Sequence, residues 1–299
     1  MKSKIASVIV LSYKNLKYLY NAIDSVLSQS YNMIELLISD DGTKDFPLDS
    51  IINYIEKNKR NNIVSYSVNS NSINLGTVKN INNAIKRSIG EYIIILSSDD
   101  CFYNNTVVER VVQRLDKSKN GVITCRRMLC DNYLNEKRLM PTDKNIKKIK
   151  KLSTPLKQHK AFVYGQFYEM ASGSCTYYTR KRLEADGLFN EDYRLLEDWT
   201  HFIEITNNLS IESAYDIISI KYRDGGVSSS IPKILLDDYL LMMNSELHRN
   251  SNNQSCFYKR YIRFNILRFR KNKFIVYFMY PDILLVRLIY KLTITINNR

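Results

Sequence analysis

Histidine is nearly absent from this chain, with three residues in 299. That scarcity argues against a zinc or catalytic centre built from histidines. Cysteine is sparse as well: five residues, with Cys125 and Cys130 lacking both a second pair and a nearby histidine, so no metal-site spacing emerges. Met1-Lys2-Ser3-Lys4 leads directly into an apolar run that reads as a strand, so no secretory hydrophobic segment is expected. With the odd cysteine count, this leads us to expect reduced thiols and a cytoplasmic protein. No stretch approaches the ~18 uninterrupted apolar residues of a spanning helix. Acids are also in short supply, 30 against 44 Lys and Arg, for a net charge of +14. The imbalance is local. From Cys256 to Arg299 ten Lys/Arg meet a single Asp, and Lys144 to Lys160 holds seven lysines. Such charge suits either nucleic acid or an anionic membrane surface.

What the chain does have is a hydrophobic fraction of 44%, enough for a large core. Apolar runs at Ile5–Leu11, Ile34–Ser39, Val64–Val68 and Tyr92–Leu96 read as strands. Periodic stretches at Leu16–Gln29, Leu48–Asn58 and Thr77–Ser88 read as helices. This alternation predicts βαβ units, a sheet flanked by helices, and ligands at the carboxyl ends of the strands. A helix over Val107–Leu115 and a strand over Val122–Arg126 follow. Residues 131–160 are polar and lysine-rich, and are expected to form a mobile loop or a helix over the cleft. Strand character returns at Gly173–Tyr178, and a helix opens at Glu197-Asp198-Trp199.

Three of the predicted strand ends carry polar residues suited to chemistry. Ser97-Ser98-Asp99-Asp100 places two adjacent carboxylates after a buried-type strand, costly unless a cation intervenes. Carboxylate pairs take hard divalent cations, which usually bridge to substrate phosphates. The same acids could instead form a turn or cap the following helix. Asp40-Asp41-Gly42-Thr43 ends a second strand, where a turn role for Asp41 competes equally. Tyr13 ends the first strand and could be an ordinary half-buried aromatic.

The ordered series Ser7-Val8-Ile9-Val10, Tyr13, Ser25-Val26-Leu27-Ser28-Gln29, Glu35 through Thr43, Asn74-Leu75-Gly76, Gly90-Glu91-Tyr92-Ile93, Asp99-Asp100 and Glu197-Asp198 resembles the inverting glycosyltransferases of family 2. The resemblance covers roughly residues 4 to 226. It implies an α/β fold of the GT-A type, a Rossmann-like mixed sheet flanked by helices, with a nucleotide-binding half (1–100) and an acceptor half (101–226). It implies hexosyl transfer from a nucleotide sugar, commonly UDP-linked, to a saccharide or polyprenyl-diphosphate-linked acceptor in cell-surface polysaccharide synthesis. A divalent cation, Mn²⁺ or Mg²⁺, is implied at Asp100. Asp99 would contact the ribose or share the metal, Asp41 the base, and Tyr13 would lie along that base. Asp198 would be the catalytic base, supported by Glu197, with Trp199 and Gly173 shaping the acceptor pocket. Glu197-Asp198 could instead merely decorate the first turn of a helix, where acids suit the dipole, and both roles can hold together because that helix start would aim Asp198 into the cleft. Arg223 is a phosphate candidate, as are Lys79 and Arg180, though solvated charge serves for each.

Two departures stand out. Family members often carry Asp where this chain has Ser97, and a hydroxyl is a poorer metal ligand than a carboxylate. The segment Tyr222 to Ser228 resembles the family's late loop but lacks a histidine sometimes found there.

From residue 227 onward a separate, basic helical region is expected. Phe257, Tyr261, Phe264 and Leu267 fall at helical spacing among Lys259, Arg260, Arg263 and Arg270, and Ile283–Ile296 is strongly apolar. Residues 256–299 would suit the plane of an anionic membrane at the inner face of the cell membrane. A cap packed on the preceding domain, or a homodimer surface, would account for the same pattern. Two other readings stay open: a non-catalytic subunit of a membrane assembly, which Ser97 favours, and a nucleic-acid binder, for which no basic-plus-aromatic module is visible.

Overall fold

The computed structural model describes residues 4–165, 169–223, 232–249, 255–271 and 273–288. The chain divides into two compact units, Met1–Leu235 and Leu236–Arg299. The division falls inside a helix, Lys233–His248. The boundary anticipated at 226/227 lies outside the described residues.

The first unit is built on one nine-stranded sheet, in the order β3-β2-β1-β4-β8-β6-β9-β5, with β7 paired to β6. Strands β1 (Ala6–Ser12), β2 (Ile34–Asp40), β3 (Ile63–Ser70) and β4 (Tyr92–Ser97) run parallel. Their uninterrupted apolar runs follow from burial on both faces. Val8, Val10, Leu36, Ile38, Ile94 and Leu96 join a core with helices α1 (Leu19–Leu27), α2 (Leu48–Asn58) and α4 (Val107–Lys117). The alternate residues Ile9, Leu37 and Ile93 are equally buried, and α3 (Thr77–Arg87) packs against β1 and β2. Helix α4 alone buries Val107, Val108, Val111, Val112 and Leu115, each contributing about 1.5–3 kcal/mol.

Beyond β4 come β5 (Cys101–Phe102) and β6 (Val122–Cys130), the latter four residues longer than the sequence suggests. Residues 131–160 form regular structure rather than a loop: β7 (Glu136–Met140), α5 (Asp143–Ile149) and α6 (Pro155–Val163). The helices start where Thr142 and Thr154 accept the backbone N–H of Asn145 and Lys157, with Pro155 in the first turn of α6. A 3-10 turn, Gly173–Cys175, leads into β8 (Thr176–Thr179) and α7 (Arg180–Asp186). Helix α8 (Glu197–Ile205) and the long strand β9 (Glu212–Arg223) follow.

Strand direction fixes the edge on which each segment emerges. Ser12 pairs with Asp40, and Leu11 with Ser97, so β1, β2 and β4 end side by side. Strand β8 runs antiparallel to β4, with Tyr92 opposite Thr179. The turn entering β8 therefore lies on the edge where β4 exits, and Arg180, just after β8, lies on the opposite edge.

In the second unit, α9 (Lys233–His248) is followed by α10 (Cys256–Arg270), α11 (Lys273–Met279) and a helical stretch over 281–288. Phe264 stacks on Tyr277 with ring centres 6.0 Å apart, Arg260 pairs with Asp282 at 2.8 Å, and Arg287 reaches Asn265 at 2.9 Å. Val276 and Ile283 are fully buried. Among the described residues no helix is long and apolar enough to cross a membrane.

Candidate functional site

The carboxyl ends of β1, β2 and β4 gather Tyr13, Asp41 and Asp99-Asp100 on one edge. Asp100 is 1% exposed, and its Oδ1 accepts the backbone N–H of Arg223 at 2.9 Å. Burial, and then the charge of Asp99, push its carboxyl well above the usual range, against the opposing pull of that N–H and of Arg127 and Arg223. A buried carboxyl beside a second acid is the kind of site a cation relieves. Among the described residues no group of three or more His, Cys, Asp or Glu could hold a metal. The pair nevertheless fits a cation whose remaining positions are filled by substrate phosphates and water.

Arg223 is 4% exposed. Its guanidinium donates to the carbonyls of Asp99 and Asn132 and lies 4.1 Å from the Tyr18 ring centre. These contacts describe a brace beneath the acid pair. The late-loop residues Asp224 to Ser228 lie outside the described residues. Arg180 does not join the site. On the far edge its Nε donates to Gly90 O at 2.7 Å and its Nη2 to Ser88 Oγ at 2.7 Å, because β8 carries it away from the end of β4. Glu35 belongs to that far edge too, accepting Ile89 N at 2.8 Å and the hydroxyl of Ser7.

At the end of β2 the two acids differ. Asp40, fully buried, accepts from Ser12 Oγ, Thr43 N, Thr43 Oγ1 and Ser70 Oγ at 2.6–3.0 Å. Asp41 binds the Asn74-Leu75-Gly76 segment, with Leu75 N on Oδ1 and Gly76 N on Oδ2, both at 2.9 Å. Asn71 Nδ2 adds a third bond to Oδ1 at 3.0 Å. Gly42 makes this closure possible: its φ is +80°, and a Cβ there would sit 2.6 Å from the Ile73 carbonyl carbon. Arg194 Nη2 holds Asn74 Oδ1 at 2.8 Å. Tyr13 is 40% exposed with Lys14 Nζ 5.0 Å from its ring centre, and Lys79 is exposed in the first turn of α3.

The third acid arrives from the other half. Asp198 sits in the first turn of α8, where Oδ2 accepts Gly173 N at 2.9 Å and Oδ1 accepts its neighbour Trp199 N at 2.6 Å. A Cβ on Gly173 would lie 3.0 Å from Asp198 Cβ, so glycine permits the approach. Glu197 occupies the same first turn. The Trp199 indole donates to Phe162 O at 3.2 Å, tying α8 to the end of α6.

One site residue escapes every sequence pattern. Arg127, on β6, donates through Nη1 to the hydroxyls of Ser172 and Ser174, the latter at 3.3 Å. Its guanidinium lies 4.8 Å from the Tyr222 ring centre, and its charge reaches Asp100. The only sequence signal for it was the strand reading that stopped one residue short, at Arg126.

The sheet order, with helices on both faces and acidic strand ends on one edge, is that of a GT-A fold. The Glycosyl transferase family 2 model matches residues 7–202, and the chain belongs to that family. It is 26% identical over 210 residues to an uncharacterized glycosyltransferase of Rickettsia typhi, covering 69% of this chain and 60% of that one. It is 31% identical over 146 residues to one of Haemophilus influenzae, covering 49% and 56% respectively. The match thus spans about 60% of the length of the first of these relatives. Among solved structures, S. aureus TarS 1–349 in complex with UDP-GlcNAc aligns at TM-score 0.62 and 19% identity, over 88% of this chain and 72% of that one. The mannosyltransferase PcManGT of Pyrobaculum calidifontis, in complex with GDP-Man and Mn²⁺, aligns at 0.58 and 14%, over 88% and 69%.

Proposed function

We propose that this protein is an inverting glycosyltransferase that moves a hexosyl unit from a nucleotide sugar, UDP-linked, to a hydroxyl of a saccharide or lipid-linked saccharide in surface-polysaccharide synthesis. The observation that carries this reading is the link between the two kinds of acid. Arg127 lies within electrostatic reach of Asp100 and holds the two serines flanking Gly173, which in turn holds Asp198.

Tyr13 offers an exposed ring for the base, and Asp41 fixes the loop beside it; Lys79, exposed in the first turn of α3, would meet phosphate. A Mn²⁺ or Mg²⁺ held by Asp100, with Asp99 and the donor's phosphates, would supply Lewis-acid stabilisation of the departing diphosphate. Asp198 takes the proton of the acceptor hydroxyl as its oxygen bonds to the anomeric carbon. The bond from that carbon to the diphosphate oxygen breaks on the opposite face, the electron pair leaves with UDP, and configuration inverts. Glu197 supports Asp198, and Trp199 with Gly173 bounds the acceptor side. Arg223 acts from beneath as a brace. A panel of UDP-sugars with Mn²⁺, scored for nucleotide release with and without saccharide acceptors, tests the reading; no release from any donor would contradict it.

The second unit suits contact with an anionic membrane. Phe274 is 84% and Phe278 89% exposed, one turn apart on α11, with Leu285 59% exposed beyond them. Lys271 and Lys273 flank them, and Asp282, the one acid of 255–288, is held by Arg260. An exposed apolar face with two lysines at its start fits the interface of an anionic bilayer. A second reading, a family-fold subunit without catalysis, draws on Ser97 standing where a third acid would strengthen the metal site.

A further inference from the structure

Arg127 is the point where the two kinds of acid are linked, and no step of the proposed reaction gives it a role of its own. Its Nη1 donates to both Ser172 and Ser174, and those hydroxyls lie 3.1 Å from one another. Between them, Gly173 gives its N–H to Asp198 Oδ2. The turn is tied further by Cys175 N on Ser172 O at 3.0 Å and by Thr176 Oγ1 on the same carbonyl at 2.8 Å. On its other side Arg127 lies against Tyr222, whose successor Arg223 holds Asp100 through its backbone N–H. An unbroken series of contacts therefore runs from Asp198 through Gly173, the serine pair, Arg127 and Tyr222 to Arg223 and Asp100.

We infer that Arg127 is a positioning residue that sets the Ser172–Ser174 turn and, through the Gly173 N–H, the orientation of the Asp198 carboxylate. The inference rests on the proposed function for the role of Asp198 but not for the geometry. A planar guanidinium suits the task. The two N–H groups of Nη1 lie in its fixed plane and serve both serines, and it keeps its charge, whereas the three donors of a lysine rotate at the end of a flexible stem. Ser172 and Ser174 supply two acceptors close together, so one rigid cation holds both ends of the turn. The competing assignment is a ligand of the donor's diphosphate. The two differ in what is lost when Arg127 is replaced: acceptor-side order in the first case, nucleotide affinity in the second.

The test uses the full chain and reads hydrogen exchange of the peptide containing Gly173 and Ser174 in the wild type, Arg127→Lys, Arg127→Met and Ser172→Ala/Ser174→Ala, with circular dichroism as the control for folding. Positioning through the turn requires exchange at this peptide to speed up about tenfold in Arg127→Met and in the double serine variant. Arg127→Lys should fall between, and adding Arg127→Met to the serine pair should change little more. UDP affinity with Mn²⁺, by calorimetry, should stay within about threefold of wild type in Arg127→Met, while transfer to acceptor falls through kcat. Unchanged exchange in folded Arg127→Met overturns the inference, whatever activity is found. So does a large loss of UDP affinity in Arg127→Met that the serine pair does not share. Wild-type protein that neither binds UDP nor releases nucleotide contradicts the proposed function alone, since the exchange result stands without it.

Discussion

The backbone N–H of Gly173 donates to Oδ2 of Asp198 at 2.9 Å, across 25 residues of chain. This bond gives the acid at the start of α8 a fixed partner on the edge where β4 ends. A methyl group at Gly173 would meet Asp198 at 3.0–3.1 Å. Gly173→Ala should therefore fold but lose transfer by roughly 10- to 100-fold, because small displacements of a catalytic group are costly. Asp198→Asn keeps the size of the side chain, removes the proposed base and can accept only one of the two backbone N–H groups; transfer should fall ~10²- to 10⁴-fold. Steady-state assays with a saturating acceptor check both.

Asp100 carries the second expectation. Burial and Asp99 raise its proton affinity, so the folded state holds a proton that the unfolded state releases. For a carboxyl raised on folding, stability is greatest at low pH and falls as pH rises through the shifted range. Asp100→Asn removes that fall while still accepting the N–H of Arg223. The metal-free variant should melt a few degrees above wild type near neutral pH, by roughly ΔΔG over ΔS, and lose Mn²⁺-dependent nucleotide binding. Thermal melts across pH with chelator present provide the measurement.

Arg180 offers a contrast within the same fold. Its bonds to Gly90, Ser88 and Ile85 sit on the far edge. Arg180→Ala should destabilise the protein by about 1–3 kcal/mol without altering UDP affinity in the folded fraction. Denaturant unfolding and calorimetry together decide this. A weakened UDP affinity with unchanged stability would return Arg180 to the phosphate role its sequence position suggested.

The exposed Phe274 and Phe278 of α11 yield a further expectation. The full-length protein should sediment with vesicles containing phosphatidylglycerol, and less with pure phosphatidylcholine or at high salt. Phe274→Ser/Phe278→Ser should reduce sedimentation about tenfold or more, each buried ring being worth a few kcal/mol. If the double variant dissociates a dimer and vesicle binding never occurs, the face is a subunit contact instead.

Strands β1, β2 and β4 were legible because burial on both faces leaves apolar runs without polar interruption. Their acidic ends were legible because Asp41 and Asp99-Asp100 stand out directly after such runs. The 131–160 region hid its structure for the opposite reason. Strand β7 has charged, exposed residues from Glu136 to Arg138, and lysines crowd α5 and α6, although Thr142, Thr154 and Pro155 carried start signals. Strand β9 was missed because its buried Ala214, Ile217 and Ile220 do not keep a strict period of two, and its pairing with β6 shifts register near Arg126. Arg127 was invisible because its role depends on what β8 and β9 bring beside it. Arg223 was noticed for its charge, while its backbone N–H on Asp100 is a property of the fold.

The most direct test of the central claim, that the end of β4 and the start of α8 form the donor and acceptor sides of a glycosyl-transfer site, is a calorimetric titration of UDP with Mn²⁺. It is run on wild type, Asp100→Asn and Asp198→Asn. The expected result is Mn²⁺-dependent binding in wild type, its loss in Asp100→Asn, and its retention in Asp198→Asn. Binding unaffected by Asp100→Asn, or absent from folded wild-type protein for UDP and for other nucleoside diphosphates, would contradict it.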